Sequence, residues 1–375
     1  QVDRLRLSFR HDPPPRHQLL VGDDVTGRLT YVREHSILRG GLLAAQSLLG
    51  RSHLANLYAR RRGLTGAVVL CYHSIASQPD SRWIDPGKRV PVPLFRKQMR
   101  FLAKHRHVVS LDRIVAAMAS GERLPAGTVA ITFDDGYRDN MTEAFPILHS
   151  LGLPATVFLP TRYIDDAEPA WINRLYAAVM YRTTDELDID VPFRFRASFA
   201  SASKRLEAYR ALSDLLFELD YDTRLQGLRS IAERLGSPLP SHRIGMNWAD
   251  VRESRVRFPK IQFGSHTVTH LDMNAACRTT LQRELTQSKL EIEGHLQEAV
   301  EHFAYPYSRV GPDNESLVAA AGYRAAFAGA EGVRVGPESP LYRIPRIDAP
   351  ASLGRLALIT SGAFPELSMQ LFNHV

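Results

Sequence analysis

Cysteine is scarce: the 375-residue chain has two, Cys71 inside an apolar run and Cys277 in a polar stretch. Two such thiols make no disulfide framework, so the fold must rest on a buried core, and neither an oxidising nor a reducing compartment is demanded. Cys71, behind Val68-Val69-Leu70, reads as a small buried core residue. Long apolar runs are also missing, since none approaches the roughly 18 residues needed to cross a bilayer. A net charge of +7 is spread along the chain. No stacking-aromatic or recognition-helix pattern goes with it, so nucleic acid is not expected as a partner. The first residue is Gln1 rather than Met, so a missing signal peptide does not fix the compartment. The expectation is cytoplasm or membrane surface, with the envelope left open. Nothing in the sequence sets the oligomeric state.

What remains is ordinary for a soluble globular protein, with 44% hydrophobic and 23% charged residues. The length suffices for one barrel-type α/β domain plus an extension. Residues 1–35, including Pro13-Pro14-Pro15, show no periodic pattern. Residues 36–60 place Ile37, Leu38, Leu42, Leu43, Leu48, Leu49, Leu54 and Leu57 near helical spacing, with Arg39, Arg51 and Arg60-Arg61-Arg62 among and after them. Such a basic amphipathic stretch can make peripheral membrane contact through residues 36–62, or it can pack on the catalytic domain. We therefore expect an N-terminal extension over 1–62 and a catalytic domain over 63–375.

From residue 64 onward, short apolar runs alternate with helical patterns. Strands are expected at Ala67–Tyr72, Thr128–Phe133, Ala155–Leu159, Ile261–Gly264 and His302–Tyr305. Helices are expected near Pro93–His105, Leu111–Ser120, Asp139–Leu151, Thr279–Ala299 and Asn314–Ala321. This alternation implies parallel strands covered by helices, as a barrel or an open sheet. About residues 165–250 break the rhythm. They are too long for a strand–helix connection and carry helical runs at Leu206–Leu219 and Arg224–Leu235. The stretch is expected to be a mostly helical insertion, serving as a substrate-shaping lid, a partner surface or padding.

Chemistry concentrates where apolar runs end. Asp134 and Asp135 close the run before Gly136, the place where α/β folds gather functional residues. An Asx turn capping the next helix would also explain them. Two neighbouring buried carboxylates, however, need a cation or hydrogen bonds to compensate them. His266 and His270 follow the later run Ile261–Gly264, and on one helical turn residues four apart face the same way. One carboxylate and two imidazoles make a facial ligand set for Zn²⁺, Fe²⁺, Co²⁺ or Ni²⁺. His73 ends the strand Ala67–Tyr72, where a lone histidine is usually structural, but it also suits the acid that a metal hydrolase needs. Tyr305-Pro306-Tyr307 marks another strand end. Its backbone N–H groups could receive an oxyanion, and its aromatics either stack on sugar or fill core.

These motifs resemble the polysaccharide deacetylases of carbohydrate esterase family 4, the NodB-homology proteins, over about residues 64–350. Thr132-Phe133-Asp134-Asp135-Gly136 is similar to the first motif of that family and His266-Thr267-Val268-Thr269-His270 to the second. The resemblance implies a distorted, TIM-like (β/α) barrel and a metal-dependent hydrolase, Zn²⁺ first among the ions, acting on N-acetylated sugars of a polysaccharide in envelope or exopolysaccharide metabolism. Carried over, Asp134 is the general base, and Asp135, His266 and His270 hold the metal. Two positions depart from the pattern. Ala304 stands where many members have the arginine of Arg-x-Pro-Tyr, and Arg346 is the candidate to replace it. No Leu-x-x-His is found near the C-terminus, whereas Leu70-Cys71-Tyr72-His73 is similar to its counterpart in circularly permuted members that process poly-N-acetylglucosamine. The same resemblance makes the Tyr307 amide the oxyanion donor and His73 the acid. Two other readings stand beside this one: a deacetylase or deformylase of a lipid-linked sugar, and a catalytically inactive carbohydrate-binding module.

Overall fold

In the computed structural model, residues 54–76, 83–166, 170–237, 243–329 and 334–363 are described. The expectations for residues 1–35 and for the helical stretch up to residue 53 lie outside them. Ten strands occur among the described residues: β1 (Ala67–Tyr72), β2 (His107–Val108), β3 (Thr128–Asp134), β4 (Ala155–Leu159), β5 (Glu186–Ile189), β6 (Phe195–Ser198), β7 (Ile261–Ser265), β8 (His302–Ala304), β9 (Ala325–Gly329) and β10 (Ile344–Asp348). Seven close into a parallel barrel in the order β1-β10-β9-β8-β7-β4-β3, with β3 pairing back onto β1. The short β2 pairs only with Thr128 and Val129 at the start of β3. The expected (β/α) barrel is therefore what the chain forms.

The barrel strands are apolar throughout because both faces are covered. Their two-residue period nevertheless decides what each face holds. On β1, Val68, Leu70 and Tyr72 join the outer core, where Phe95 and Met99 of the helix Val92–His105 cover them. Ala67 and Val69 point inward with Ala130 of β3, Phe158 of β4, Phe327 of β9 and Ile344 of β10. Continued upward, the inward phase carries Cys71 on β1 and His73 just after it, Thr132 and Asp134 on β3, and Arg346 and Asp348 on β10 to the carboxyl end of the barrel. This is how a strand pattern becomes a site.

Several expected elements take a different form. The helix expected over Asp139–Leu151 begins as a π turn, Asn140–Ala144, in which Phe145 N–H bonds Asn140 O, and it continues as Phe145–Ser150. Pro146, lacking an N–H, cannot make the ordinary bond in that register. The 165–250 insertion is not purely helical. The helices Trp171–Met180, Ala202–Phe217 and Tyr221–Arg234 are accompanied by the antiparallel pair β5–β6. Leu187 and Ile189 are buried between exposed Glu186 and Asp188, a two-residue period too short and too charged to stand out in the sequence. They join Leu175, Leu212, Leu228 and Ile231 in a core belonging to the insertion itself. At the start of the described chain, the helix Leu54–Arg61 packs Ala55 and Ala59 on Leu358 and Ala363 and leaves Leu54 and Leu57 exposed. Among the described residues, no helix is long and apolar enough to cross a membrane.

Candidate metal centre and catalytic pocket

Asp134 is the last residue of β3 and points inward, while Asp135 turns away from it in the left-handed region at φ 71°. Asp tolerates that conformation better than most side chains. Gly136 (φ 65°) completes the turn, and a Cβ there would lie 2.6 Å from Ile164 Cδ1. The two carboxylates thus leave one strand end in different directions.

His266 follows β7, but the His-x-x-x-His pair does not sit on a helical turn. Thr267 (φ 67°) and His270 (φ 55°) are both left-handed, so an irregular loop brings the rings together. Glu284, from the helix Arg278–Leu296, supplies what a helix would have: its carboxylate accepts from Val268 N (2.8 Å), Thr269 N (2.9 Å) and Thr269 Oγ1 (3.0 Å). Sequence reasoning missed Glu284, because only the folded helix brings it under the loop.

The loop aims His270 at Asp135 and sets His266 between the two carboxylates, its Nε2 3.8 Å from Asp134 Oδ2. His270 Nε2 is 3.3 Å from Asp135 Oδ1, and His266 Nε2 is 4.0 Å from the same oxygen. His266 Nδ1 lies 2.7 Å from the Ala304 carbonyl, which can only accept. The proton is therefore on Nδ1, and the Nε2 lone pair faces the carboxylates. Burial holds His266 down to about 4 despite the nearby Asp134, and burial followed by the charges of His266 and Lys88 holds His270 well below the ordinary imidazole range. Asp135 is pushed up to about 7 by burial, with Asp134 adding to the rise and Lys88 and Arg346 opposing it. Its Oδ1 is buried with no hydrogen-bond partner among the described residues, and so is His270 Nδ1. An orphaned carboxylate oxygen facing two neutral imidazoles fits a divalent cation, and burial without one is costly.

Asp134 is the opposite case. Arg346, inward on β10, donates to it twice, NH1 to Oδ1 at 2.7 Å and NH2 to Oδ2 at 2.8 Å. Burial alone would raise this carboxyl, but the guanidinium, His266 and the paired hydrogen bonds outweigh it and hold Asp134 well below the usual range. The arginine that pairs with Asp134 is thus Arg346 of β10. Cys71 is buried as expected, yet it faces the pocket, with Sγ donating to Asp134 Oδ2 over 3.3 Å. The phase of Ala67 and Val69 was the available signal for that orientation. His73 sits beside them, its carbonyl accepting from Asn140 Nδ2 (2.8 Å) and its Nε2 lying 3.2 Å from Lys88 Nζ. Lys88 was not anticipated from the sequence.

These groups line a cavity of about 500 Å³. One wall is aromatic. Tyr307 packs edge-on against His270 (4.5 Å) and against Phe217 (4.8 Å), and its hydroxyl accepts from Trp171 Nε1 at 2.8 Å. Tyr307 lines the pocket, and so does Tyr305, whose side chain is otherwise fully buried in the core. Phe217, Ser213 and Asp214 come from the insertion.

The family model for polysaccharide deacetylases matches residues 121–181 and 239–326, passing over most of the insertion. A stretch of 92 residues, 24% of the chain, is 34% identical to the YxkH protein of Bacillus subtilis (strain 168), covering 30% of that protein. Another match of 92 residues is 33% identical to the poly-beta-1,6-N-acetyl-D-glucosamine N-deacetylase of Escherichia coli (strain K12), covering 13% of it. The matched stretch thus spans less than a third of either curated relative. Among solved structures, IcaB from Ammonifex degensii superposes with a TM-score of 0.51 at 17% identity, over 79% of this chain and 97% of that one. The Streptococcus pyogenes deacetylase PplD in complex with acetate gives 0.50 at 18% identity, over 79% and 99%. At these identities the superpositions speak for a shared fold.

Proposed function

From a chain that belongs to the polysaccharide deacetylase family, we propose a metal-dependent hydrolase that removes N-acetyl groups from an N-acetylated glycan. The observation that carries this reading is the division between the two aspartates. Asp135 is orphaned opposite His266 and His270, while Asp134 is ionised and clasped by Arg346. Asp135, His266 and His270 would hold the cation, Zn²⁺ or a similar ion. When bound, it supplies Lewis-acid polarisation at the acetyl carbonyl and at water. The E. coli relative supports a glycan of the poly-N-acetylglucosamine kind, used in exopolysaccharide or envelope assembly. We assign catalysis to residues 63–375 and treat residues 1–62 as an extension.

The chain's own residues divide the remaining work. Asp134 takes a proton from the attacking water, and Arg346 keeps its carboxylate ionised and oriented. The guanidinium also lowers the basicity of Asp134, so it contributes orientation more than driving force. The Tyr307 N–H receives the oxyanion that forms as water adds to the carbonyl carbon. His73 protonates the nitrogen as the C–N bond breaks, and acetate and a free amino sugar leave. Trp171, Phe217 and Tyr307 offer apolar surface to a sugar ring. The inactive-module reading rested on the displaced arginine, and the Arg346–Asp134 pair removes that support.

The test is acetate release from N-acetylglucosamine oligomers with Zn²⁺ added or chelated. Activity should require the ion and fall on the order of a hundredfold or more for Asp134→Asn, the scale of losing a general base. Full activity in the His266→Ala, His270→Ala double variant would sink the reading. Activity on lipid-linked N-acyl sugars alone would transfer it to that substrate class.

A further inference from the structure

Lys88 occupies a built position beside His73. It ends a short helical turn, Pro86–Lys88, which Asp85 caps by accepting from Gly87 N at 2.7 Å. Its carbonyl accepts from Ser74 N (3.0 Å), and Val90 N donates to Ser74 O (2.9 Å), so the segment is zipped to the residue after His73. Asp85 is itself held from the insertion side, its amide donating to Asn173 Oδ1 at 3.0 Å and its carboxylate accepting from the Tyr209 hydroxyl of the helix Ala202–Phe217. The other side of His73 is fixed as well. Asn140 Nδ2 donates to its carbonyl, and Ser74 Oγ and Ile75 N donate to Asp139.

Two anchored segments therefore put Lys88 Nζ 3.2 Å from His73 Nε2 inside the catalytic cavity. An ammonium has three donors and no lone pair, so Nε2 must accept and the imidazole proton must lie on Nδ1. Other charged and titratable groups share the cavity with His73 from each neighbouring strand end: Cys71 on β1, Asp134 on β3 and Asp135 after it, His266 and His270 after β7, and Arg346 and Asp348 on β10. Asp134 is already paired with Arg346, and the cation in contact with the imidazole is Lys88.

We propose that Lys88 is the proton-supplying and positioning partner of His73 in the leaving-group step. The proposal rests on the deacetylase reading above. As the amide C–N bond breaks, the nitrogen takes the proton from His73 Nδ1. His73 Nε2 takes one from Lys88, and Lys88, left neutral, recovers a proton from solvent. One proton enters the leaving amine, and no other co-reactant is needed. Burial together with the Lys88 charge holds His73 well below the ordinary imidazole range, and the 3.2 Å contact makes Lys88 the group placed to resupply it.

The experiment compares pH–rate profiles of acetate release for the Zn²⁺-supplemented full chain, Lys88→Met and Lys88→Arg. Without the ammonium, the proton must come from an imidazolium, whose population falls about tenfold per pH unit above its own titration. Lys88→Met should lie within about threefold of wild type near about pH 5.5 and more than about tenfold below it near about pH 8.5. Lys88→Arg should be as slow as Lys88→Met at the higher pH, because a guanidinium does not give up its proton. A Lys88→Met deficit that is the same at every pH, or full rescue by Lys88→Arg, would overturn the relay. Histidine ¹⁵N NMR reads the same contact without turnover. Lys88→Met should move the His73 titration to higher pH, and an unmoved titration overturns the proposal. A wild-type chain that released no acetate would remove the deacetylase reading, and the NMR result would still decide the contact.

Discussion

The two sides of the pocket differ in how their charges are compensated. On one side, Asp135, His266 and His270 face each other with an orphaned carboxylate oxygen, and no donor among the described residues answers it. On the other, Arg346 and Cys71 together give both oxygens of Asp134 a partner, and Lys88 pairs separately with His73. The first arrangement requires something from outside the chain, and the second does not. The ligand side falls within segments matching the family model, and so does Asp134, whereas its partners Cys71 and Arg346 and the His73–Lys88 pair lie outside them. The difference teaches that a cation site is recognised by what its residues leave unpaired, and a proton-transfer site by what they pair.

The sharpest way to break this comparison is to make the second side resemble the first. Arg346→Met leaves Asp134 buried without its counter-charge, and breaking a buried pair from one end costs about 3–5 kcal/mol. A drop in Tm of about 6–20 °C is expected, on a scale of about 2–4 °C per kcal/mol. Acetate release should fall by at least about a hundredfold, since the base loses both its ionised state and its orientation. Wild-type Tm and rate in this variant would mean that the clasp does not hold the base.

The intermediate effect concerns the ligand side and has the opposite sign. Asp135 titrates at about 7 in the metal-free fold against 3.8 for an ordinary aspartate. The folded chain therefore binds this proton more tightly than the unfolded chain does. The favourable contribution is complete below the unfolded value and is lost as pH rises through about 7. Asp135→Asn removes that loss. Metal-free Asp135→Asn should melt several degrees above metal-free wild type near about pH 8, and the gap should close toward about pH 4. The variant should also lose the stabilisation that added Zn²⁺ gives wild type, which follows from mass action on the folded state. Thermal melts with and without Zn²⁺ at both pH values check this, and equal metal-free Tm at the higher pH would contradict it.

Much of the site was legible from the sequence because it hangs on strand ends. Asp134-Asp135-Gly136 and His73 each terminate an apolar run, and such runs are the strongest local signal of buried parallel strands. Arg346 was reachable by the same logic, since the inward phase of β10 runs Ile344, Arg346, Asp348. What stayed hidden depends on long-range closure. Glu284 supports the histidine loop from a helix whose sequence has no feature aimed at residue 268. Lys88 reaches His73 through a three-residue turn whose position is set by Ser74 and by the insertion's Tyr209. The π turn and the β5–β6 pair were lost because single residues of helical or alternating pattern carry little weight in short, charged segments.

The smallest expected effect lies where the insertion meets the barrel. Phe217 brings its ring edge-on to Tyr307, with the Arg309 guanidinium 5.3 Å from its centroid, so it is tied to the barrel side of the pocket wall. Aromatic contacts of this kind contribute about 0.5–1.5 kcal/mol beyond their buried area. Phe217→Ala should therefore raise KM for N-acetylglucosamine oligomers by about three- to tenfold and leave kcat within about twofold, the signature of uniform binding. If kcat falls while KM holds, the wall acts on the reacting geometry, and the insertion belongs to the proton-transfer side of the pocket. The Tyr209–Asp85 bond beneath Lys88 gives that outcome a physical route, because the helix that carries Phe217 also carries Tyr209.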